Sequence, residues 1–419
     1  MTRRRRLTAT IEEADVIAEE SEDVAYSWIE TKERFAEVVA RALQTDRVAL
    51  DTEFHRERTY WPKVALLQLK IDAETFLVDP LVVDLEPLVE VLNSDVVFVM
   101  HAASQDIEVL ERACGTAPKH LFDTQVAAGF TGMSTPSLSA LVERYVGIRL
   151  PKGDRLTDWF ERPLRKNQQD YAANDVRYLF EVHDQLLSDL KETGRLDWAL
   201  TECELAHQRL KPSLSPELAW TRIKEARHLR GKPRCVASVL AQWREITAQR
   251  KDVPIRFILS DLALVGIAQR APNTLNDLKA IRGLDGRSVK DAAGQEILSL
   301  VSDGMRMTDD EVATLDVDEG PQLGNEMRAA VTLVSAWISQ VAKDEALDPA
   351  LLATRSDIND LLRGAKNPRL GTGWRSDLVG TRIEDLVEGR ASLAFDNGGG
   401  LVLEPRPGFV AENKANFDG

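Results

Sequence analysis

Apolar runs and helical spacing alternate through the first half of the chain, whereas helical spacing alone fills the second half. The run Arg47-Val48-Ala49-Leu50-Asp51-Thr52-Glu53-Phe54 begins with apolar residues of strand character. Asp95 to His101 is almost wholly apolar, as expected of a strand buried on both faces. Ala25–Ile29, Val64–Ile71 and Thr75–Val78 read as further strands, the last two separated by a turn at Asp72-Ala73. Glu33–Leu43, Leu138–Tyr145 and Gln168–Leu187 carry the recurrence of helices. This interleaving predicts an α/β domain with a mixed sheet flanked by helices, over residues 25–205.

The second half reads as all-α. Val236-Ala237-Ser238-Val239-Leu240, Trp243-Arg244 and Ala248 form one amphipathic helix. Pro254 then breaks the chain, Ser260 can cap a new helix, and Leu262, Leu264, Ile267 and Ala268 supply its apolar face. Pro272, Leu275, Leu278 and Ile281-Arg282-Gly283-Leu284 mark two short helices, so a helical domain is expected over 234–302. Before it, 206–233 reads as a connector with Pro212, Pro216 and a basic helix bearing Arg222, Lys224, Arg227 and Arg230. After it, an acidic linker over 303–322 leads to a second helical domain over 323–408, followed by a tail over 409–419. That domain opens with Ala329, Ala330, Leu333, Val334, Trp337, Ile338 and Val341 on one helix face. It closes on Asn397-Gly398-Gly399-Gly400 between two apolar runs, the pattern of a small hairpin.

Composition narrows the function classes. A length of 419 residues allows two or three domains, and 43% hydrophobic residues is ordinary for globular proteins. No stretch approaches the roughly 18 apolar residues of a membrane span. Four arginines in Met1–Thr10 are followed by seven acids and no base in Ile11–Asp23, so 1–24 reads as a disordered charged leader rather than a signal peptide. The three cysteines, Cys114, Cys203 and Cys235, are widely spaced, which argues against a disulfide framework or zinc site and fits a reducing cytoplasm. The net charge of −15 is at odds with a polyanionic substrate until its distribution is examined. His207–Lys290 carries 17 Lys/Arg against 7 Asp/Glu, a local +10, and the rest of the chain carries −25. Such asymmetry points to a basic module able to grip a phosphate backbone.

Chemistry concentrates in three strings: Leu50-Asp51-Thr52-Glu53-Phe54, His101-Ala102-Ala103-Ser104-Gln105-Asp106 and Tyr171-Ala172-Ala173-Asn174-Asp175. Asp51 and Glu53, two apart on a strand, share a face. Asp106 falls in the first turn of the helix after the second strand, and Tyr171 and Asp175 are one helical turn apart. Any one of these has an ordinary explanation, such as a solvated strand end or an acid complementing a helix dipole. Taken together, four carboxylates from separate elements can hold two divalent ions for attack on a phosphodiester. Six histidines are scattered without metal spacing, and His101, ending a buried strand, reads as a structural hydrogen-bonding residue.

With these strings the chain resembles the DEDD superfamily of exonucleases in its tyrosine variant, and within it ribonuclease D. Asp51-Thr52-Glu53-Phe54 with Arg58-Thr59-Tyr60-Trp61-Pro62, then Thr157-Asp158-Trp159, Arg162-Pro163-Leu164 and Tyr171 to Leu179, carry the resemblance from about Ala25 to Leu190. Arg234 to Val301 is similar to the HRDC domain, a compact helical nucleic-acid-binding module. Its Trp-Arg, Pro-x-Phe-Ile-Leu-Ser-Asp and Ile-Arg-Gly-Leu pieces carry that similarity. The resemblance implies an α/β ribonuclease H-like exonuclease domain followed by all-α HRDC-type domains, the last helical unit being a second one.

It also implies a 3′→5′ exoribonuclease releasing nucleoside 5′-monophosphates, with two Mg²⁺ or Mn²⁺ ions held by Asp51, Glu53, Asp106 and Asp175. Asp51 would bridge both ions, and Glu53 and Asp175 would help hold the one that activates water. Asp106 would complete the other ion's environment, largely through water. Phenols ionise near pH 10, so Tyr171 suits positioning of the nucleophile better than proton abstraction; ~10 is the ordinary value. Arg58, Tyr60, Arg244, Arg256 and Arg282 are the candidates for nucleic-acid contact. Trimming of 3′ ends of tRNA precursors and other structured RNA, by a monomer, is the expected role. The competing readings are a DNA 3′→5′ exonuclease and a non-catalytic RNA-binding scaffold.

Overall fold

A computed structural model of the chain describes residues 24–151, 157–209, 215–284, 291–308, 311, 323–324 and 327–406. The expected leader, apart from residue 24, most of the acidic linker and the 409–419 tail lie outside these residues. Two compact units emerge. One takes residues 24–53, 65–106 and 116–204, and the other takes 54–64, 107–115 and 205–406.

The first unit is built on a six-stranded sheet. In chain order it has β1 (Ser27–Ile29), α1 (Lys32–Ala42), β2 (Arg47–His55), β3 (Lys63–Ile71), β4 (Glu74–Val78), α2 (Leu88–Leu92) and β5 (Val97–Met100). The chain continues with α3 (Ser104–Cys114), β6 (His120–Asp123), α4 (Thr124–Gly129), α5 (Leu138–Val146), α6 (Lys166–Arg177), α7 (Leu179–Glu192) and α8 (Leu196–Arg209), of which residues 107–114 of α3 and 205–209 of α8 are counted in the second unit. The spatial order is β1-β4-β3-β2-β5-β6. β4 runs antiparallel to β3 and parallel to β1, and β5 runs parallel to both β2 and β6, so the sheet is mixed as the strand pattern predicts. Val48, Ala49, Leu50, Leu66, Leu67, Phe98 and Val99 are buried on both faces, which is why these strands read as continuous apolar runs.

The helix expected over Gln168–Leu187 is two helices. Tyr178 (φ −109°, ψ 8°) leaves the helical region between α6 and α7. The Lys70 ammonium donates to the Arg177 carbonyl at this break and satisfies a group the interrupted helix cannot. α6 is anchored at its start: Gln168 Oε1 accepts from the Arg165 amide (2.9 Å), and Thr157 Oγ1 takes bonds from Arg165 (2.7 Å) and Gln168 (2.8 Å). Ahead of it, Arg162 forks onto both Asp79 oxygens (2.6 and 2.8 Å) and also reaches the Ala65 and Trp159 carbonyls (2.7 Å each). That clamp ties the segment entering α6 to the sheet.

The second unit centres on α9 (Lys232–Lys251), followed by α10 (Ile255–Ile258), α11 (Asp261–Arg270), α12 (Leu275–Lys279) and α13 (Asp291–Arg306). The expected basic helix before α9 is instead two 3₁₀ turns, Pro216–Arg222 and Ala226–His228. Trp220, Ile223, Ala226 and Leu229 recur every third residue, the 3₁₀ period, and all four are buried in the same core as Val236, Leu240, Leu264, Ile267 and Ile297. This segment is therefore part of the helical core rather than a connector. α13 runs to Arg306, so Asp303–Arg306 is helix and not linker. Gly304 lets α13 approach α9: a Cβ there would lie 2.6 Å from Val236 Cα.

Farther along, α14 (Arg328–Asp344) buries Val331, Val334, Trp337 and Ile338. It is followed by α15 (Pro349–Leu352) and α16 (Arg355–Leu362), capped by Asp348 and Thr354. β7 (Ala391–Phe395) and β8 (Leu401–Pro405) pair antiparallel around the glycine run. Among the described residues, no helix is long and apolar enough to cross a membrane.

Candidate active site

Three of the carboxylates meet. Asp51 and Glu53 leave β2 from one face, Asp175 comes from α6, and an oxygen of each lies within 4.8 Å of the others. Tyr171 stands one turn before Asp175, its ring tilted 33° to that of buried Trp159 with centroids 6.1 Å apart. Asp106 is placed differently. It is the third residue of α3, it is buried, and its Oδ1 accepts from the Thr52 hydroxyl at 2.5 Å. Thr52 points to the opposite face from its two acidic neighbours, so one short strand segment addresses both groups of acids.

The electrostatics are those of crowded like charges. Asp51 keeps some surface as a residue, yet its carboxyl is pushed well above the usual range, first by burial and then by Asp106, Asp175 and Glu53. Asp106 is raised to about 6, mainly by burial, with the Thr52 hydroxyl opposing the shift. Like charges packed this closely, each raising its neighbour, mark a candidate functional site with the donor set of a divalent cation.

Sequence reasoning passed over the residues that hold these acids. Before α3 the chain turns through Ala102 at φ 54°. Asp123 fixes that turn by accepting from the Ala102 (3.0 Å) and Ala103 (2.9 Å) amides, while it caps α4 through Gln125 (2.8 Å) and Val126 (3.3 Å). Its position before Thr124 was a visible capping signal, but the bonds from Ala102 and Ala103 span 21 and 20 residues. His101 bonds Thr124 (2.9 Å), in keeping with its structural reading.

The residues expected at nucleic acid divide. Tyr60 is engaged within the second unit: its hydroxyl donates to Glu245 and receives Gln249 Nε2 at 3.0 Å. Burial, then Glu245, pushes that phenol up to about 12. Trp61 lies edge-on to Tyr60 (4.7 Å) under the Arg112 guanidinium (4.3 Å), so both half-buried rings already carry contacts within this unit. Arg244 is buried, its guanidinium spent on Asp261 (2.6 Å) and the Leu259 carbonyl (3.0 Å), an architectural use that corrects the expectation of a surface contact. Arg58, Arg256 and Arg282 are exposed, and Arg256 makes one bond, to the Glu57 carbonyl at 3.1 Å.

Comparison with known proteins places this geometry. The family described as 3′-5′ exonuclease matches residues 26–191, and the HRDC domain family matches residues 218–301. The fold and site thus define an exonuclease domain joined to an HRDC domain. A ribonuclease D from Sphingobium indicum is 34% identical over 372 residues, covering 87% of this chain and 95% of that protein. The crystal structure of Escherichia coli RNase D, an exoribonuclease involved in structured RNA processing, superposes with a TM-score of 0.79 at 32% identity, covering 87% of this chain and 99% of that one. The catalytic core of RRP6 from Trypanosoma brucei shares the fold at 24% identity, with a TM-score of 0.53 over 68% of this chain and 82% of that one. The chain belongs to the ribonuclease D family.

Proposed function

We propose that this 3′→5′ exoribonuclease hydrolyses terminal phosphodiesters with two divalent ions, Mg²⁺ or Mn²⁺, and releases nucleoside 5′-monophosphates. The observation that carries the reading is the triplet Asp51, Glu53 and Asp175 within 4.8 Å, with Asp106 close enough to raise Asp51. The donor set fits: every ligand is a hard carboxylate oxygen, without thiolate or imidazole, as Mg²⁺ and Mn²⁺ prefer. Bound there, the two ions would lower the pKa of the attacking water and neutralise the leaving 3′-oxygen.

The protein's part is to place its own groups. Asp51 is assigned to both ions, Glu53 and Asp175 to one, and Asp106, set back and held by Thr52, to the other, largely through water. The Tyr171 hydroxyl, one turn from Asp175, is assigned to orient the nucleophile rather than to take its proton. Exposed Arg58, Arg256 and Arg282 are assigned to the phosphate backbone. Residues 323–408 are assigned as a second HRDC-like domain. Structured RNA such as tRNA precursors is the proposed substrate, supported by what the Escherichia coli relative is described as processing. The test is digestion of matched 3′-labelled RNA and DNA oligonucleotides with Mg²⁺, with Mn²⁺ and with chelator. Metal-dependent release of 5′-monophosphates from RNA is expected, and equal digestion with chelator present would remove the metal assignment.

A further inference from the structure

The middle of β3 holds a polar side chain that the site described above does not use. Gln68 is fully buried, and neither its amide nitrogen nor its amide oxygen has a hydrogen-bond partner among the described residues. Its position follows from its neighbours. Lys70, two residues on and therefore on the same face, reaches Glu181 Oε2 (3.0 Å) and the Arg177 carbonyl at the end of α6, and lies 5.0 Å over the Phe180 ring. Leu66, two residues back, shares a buried cluster with Ala172 and Ala173 of α6. Gln68 therefore lies beneath α6, between the levels of Ala173 and Arg177, where Asp175 is carried.

The neighbouring strand gives the second coordinate. Arg47 of β2 lies over the same Phe180 ring (4.5 Å), and Ala49 is in one cluster with Phe180 and Val176. The face of β2 beside Gln68 is thus the face of Arg47 and Ala49, and by alternation of Asp51 and Glu53. On its other side Gln68 is paired with Leu77, itself level with Trp28 of β1, and both belong to the apolar cluster. Of the neighbours named here, Lys70 is already bonded and the rest are apolar, so the acidic side of this layer is the one that offers the amide polar partners.

We propose that Gln68 is a positioning residue whose buried carboxamide, through an interposed water, steadies the Asp51 and Asp175 carboxylates in the orientation that captures divalent ions. Buried amides are rarely left unpaired, and one buried water serves two to four polar groups. An amide is suited to this place because it adds no charge to an already crowded set of acids. It can donate to a carboxylate-bound water and accept from it, whichever way the water is turned. Groups that orient metal-binding side chains in this way change affinity by about 10–100-fold when removed.

The inference rests on the reading that the acidic cluster holds divalent ions, and the test separates the two. Mn²⁺ binding to the metal-free full-length chain is measured by calorimetry for the parent and for Gln68→Met, which keeps the volume and removes the amide. Weakening of Mn²⁺ binding by about 10–100-fold, with the melting temperature of the metal-free variant unchanged and KM for RNA held while kcat falls, is the expected result. Equal Mn²⁺ affinity in the two proteins would overturn the positioning role alone, whereas a parent that binds no Mn²⁺ would overturn the metal reading with it. Should Gln68→Met fail to fold, the side-chain amide signal of Gln68 in the ¹⁵N-labelled parent decides. Its displacement on Mg²⁺ addition supports the proposal, and an unmoved signal sinks it.

Discussion

Buried charge is handled in opposite ways at the acidic cluster of the first unit and in the helical core of the second. In the second, Glu245 is 1% exposed, yet it takes a bond from Arg222 at 2.9 Å and another from the Tyr60 hydroxyl. Arg244 is likewise sunk in the helical core and matched by Asp261 and a carbonyl. In the first unit, the charged neighbours that raise Asp51 are all acids, and burial adds to their effect. Matched buried charge is architecture, and its value lies in not being left alone. Mismatched buried charge costs stability unless a further cation joins it, and that marks the site of function.

The largest effect expected from this contrast is on turnover. Asp51→Asn and Asp175→Asn should each lower exonuclease turnover by about a thousandfold or more, measured as monophosphate released from 3′-labelled RNA. Metal-free Asp51→Asn should melt no lower than the parent, because it removes one of the crowded like charges. Near-parental activity in both variants would end the metal assignment.

Glu245→Ala should do the reverse, costing about 1–3 kcal/mol in urea unfolding because it removes the buried acceptor shared by Arg222 and the Tyr60 hydroxyl. An unchanged midpoint would mean that the pairing has no structural value. Next in size, Mn²⁺ at about a hundred times its dissociation constant should stabilise the parent by about 2.7 kcal/mol in the same assay and leave Asp51→Asn nearly unmoved. An equal gain in both would place the ion elsewhere.

The smallest effect concerns His183, which packs edge-on to Phe122 at 4.6 Å and accepts from Arg47 through Nδ1 at 2.8 Å. Burial, with Arg47 adding to it, lowers its pKa below the ordinary 6.5 against the opposing pull of Asp184. The folded state therefore resists protonation. This contribution is complete above the unfolded pKa and is lost as pH falls through 6.5 toward the lower folded value. Stability should decline modestly from pH 7 to pH 5, and His183→Gln should flatten part of that decline. A variant with the same pH slope as the parent would show that other groups set it.

What could be read from the chain was whatever depends on residues near one another in sequence. The i, i+2 spacing of Asp51 and Glu53, the i, i+4 spacing of Tyr171 and Asp175, and the first-turn place of Asp106 all follow from the periods of strand and helix. The motif strings then supply the family, and the comparisons bear it out. The third-residue spacing of Trp220, Ile223, Ala226 and Leu229 was present too, but basic residues between them drew the reading toward a solvated helix. Hydrogen bonds between distant residues decided the rest. Asp123 reaching back to Ala102, Thr52 bonding Asp106, Arg162 forking onto Asp79 and Lys70 ending α6 join segments up to 107 residues apart. Tyr60 and Arg244 have the composition of nucleic-acid contacts, and only the partners they meet in the fold show them spent on architecture. Periodicity records which way a side chain leaves its own element, whereas the partner it meets is set by packing between elements, where one-dimensional spacing carries no information.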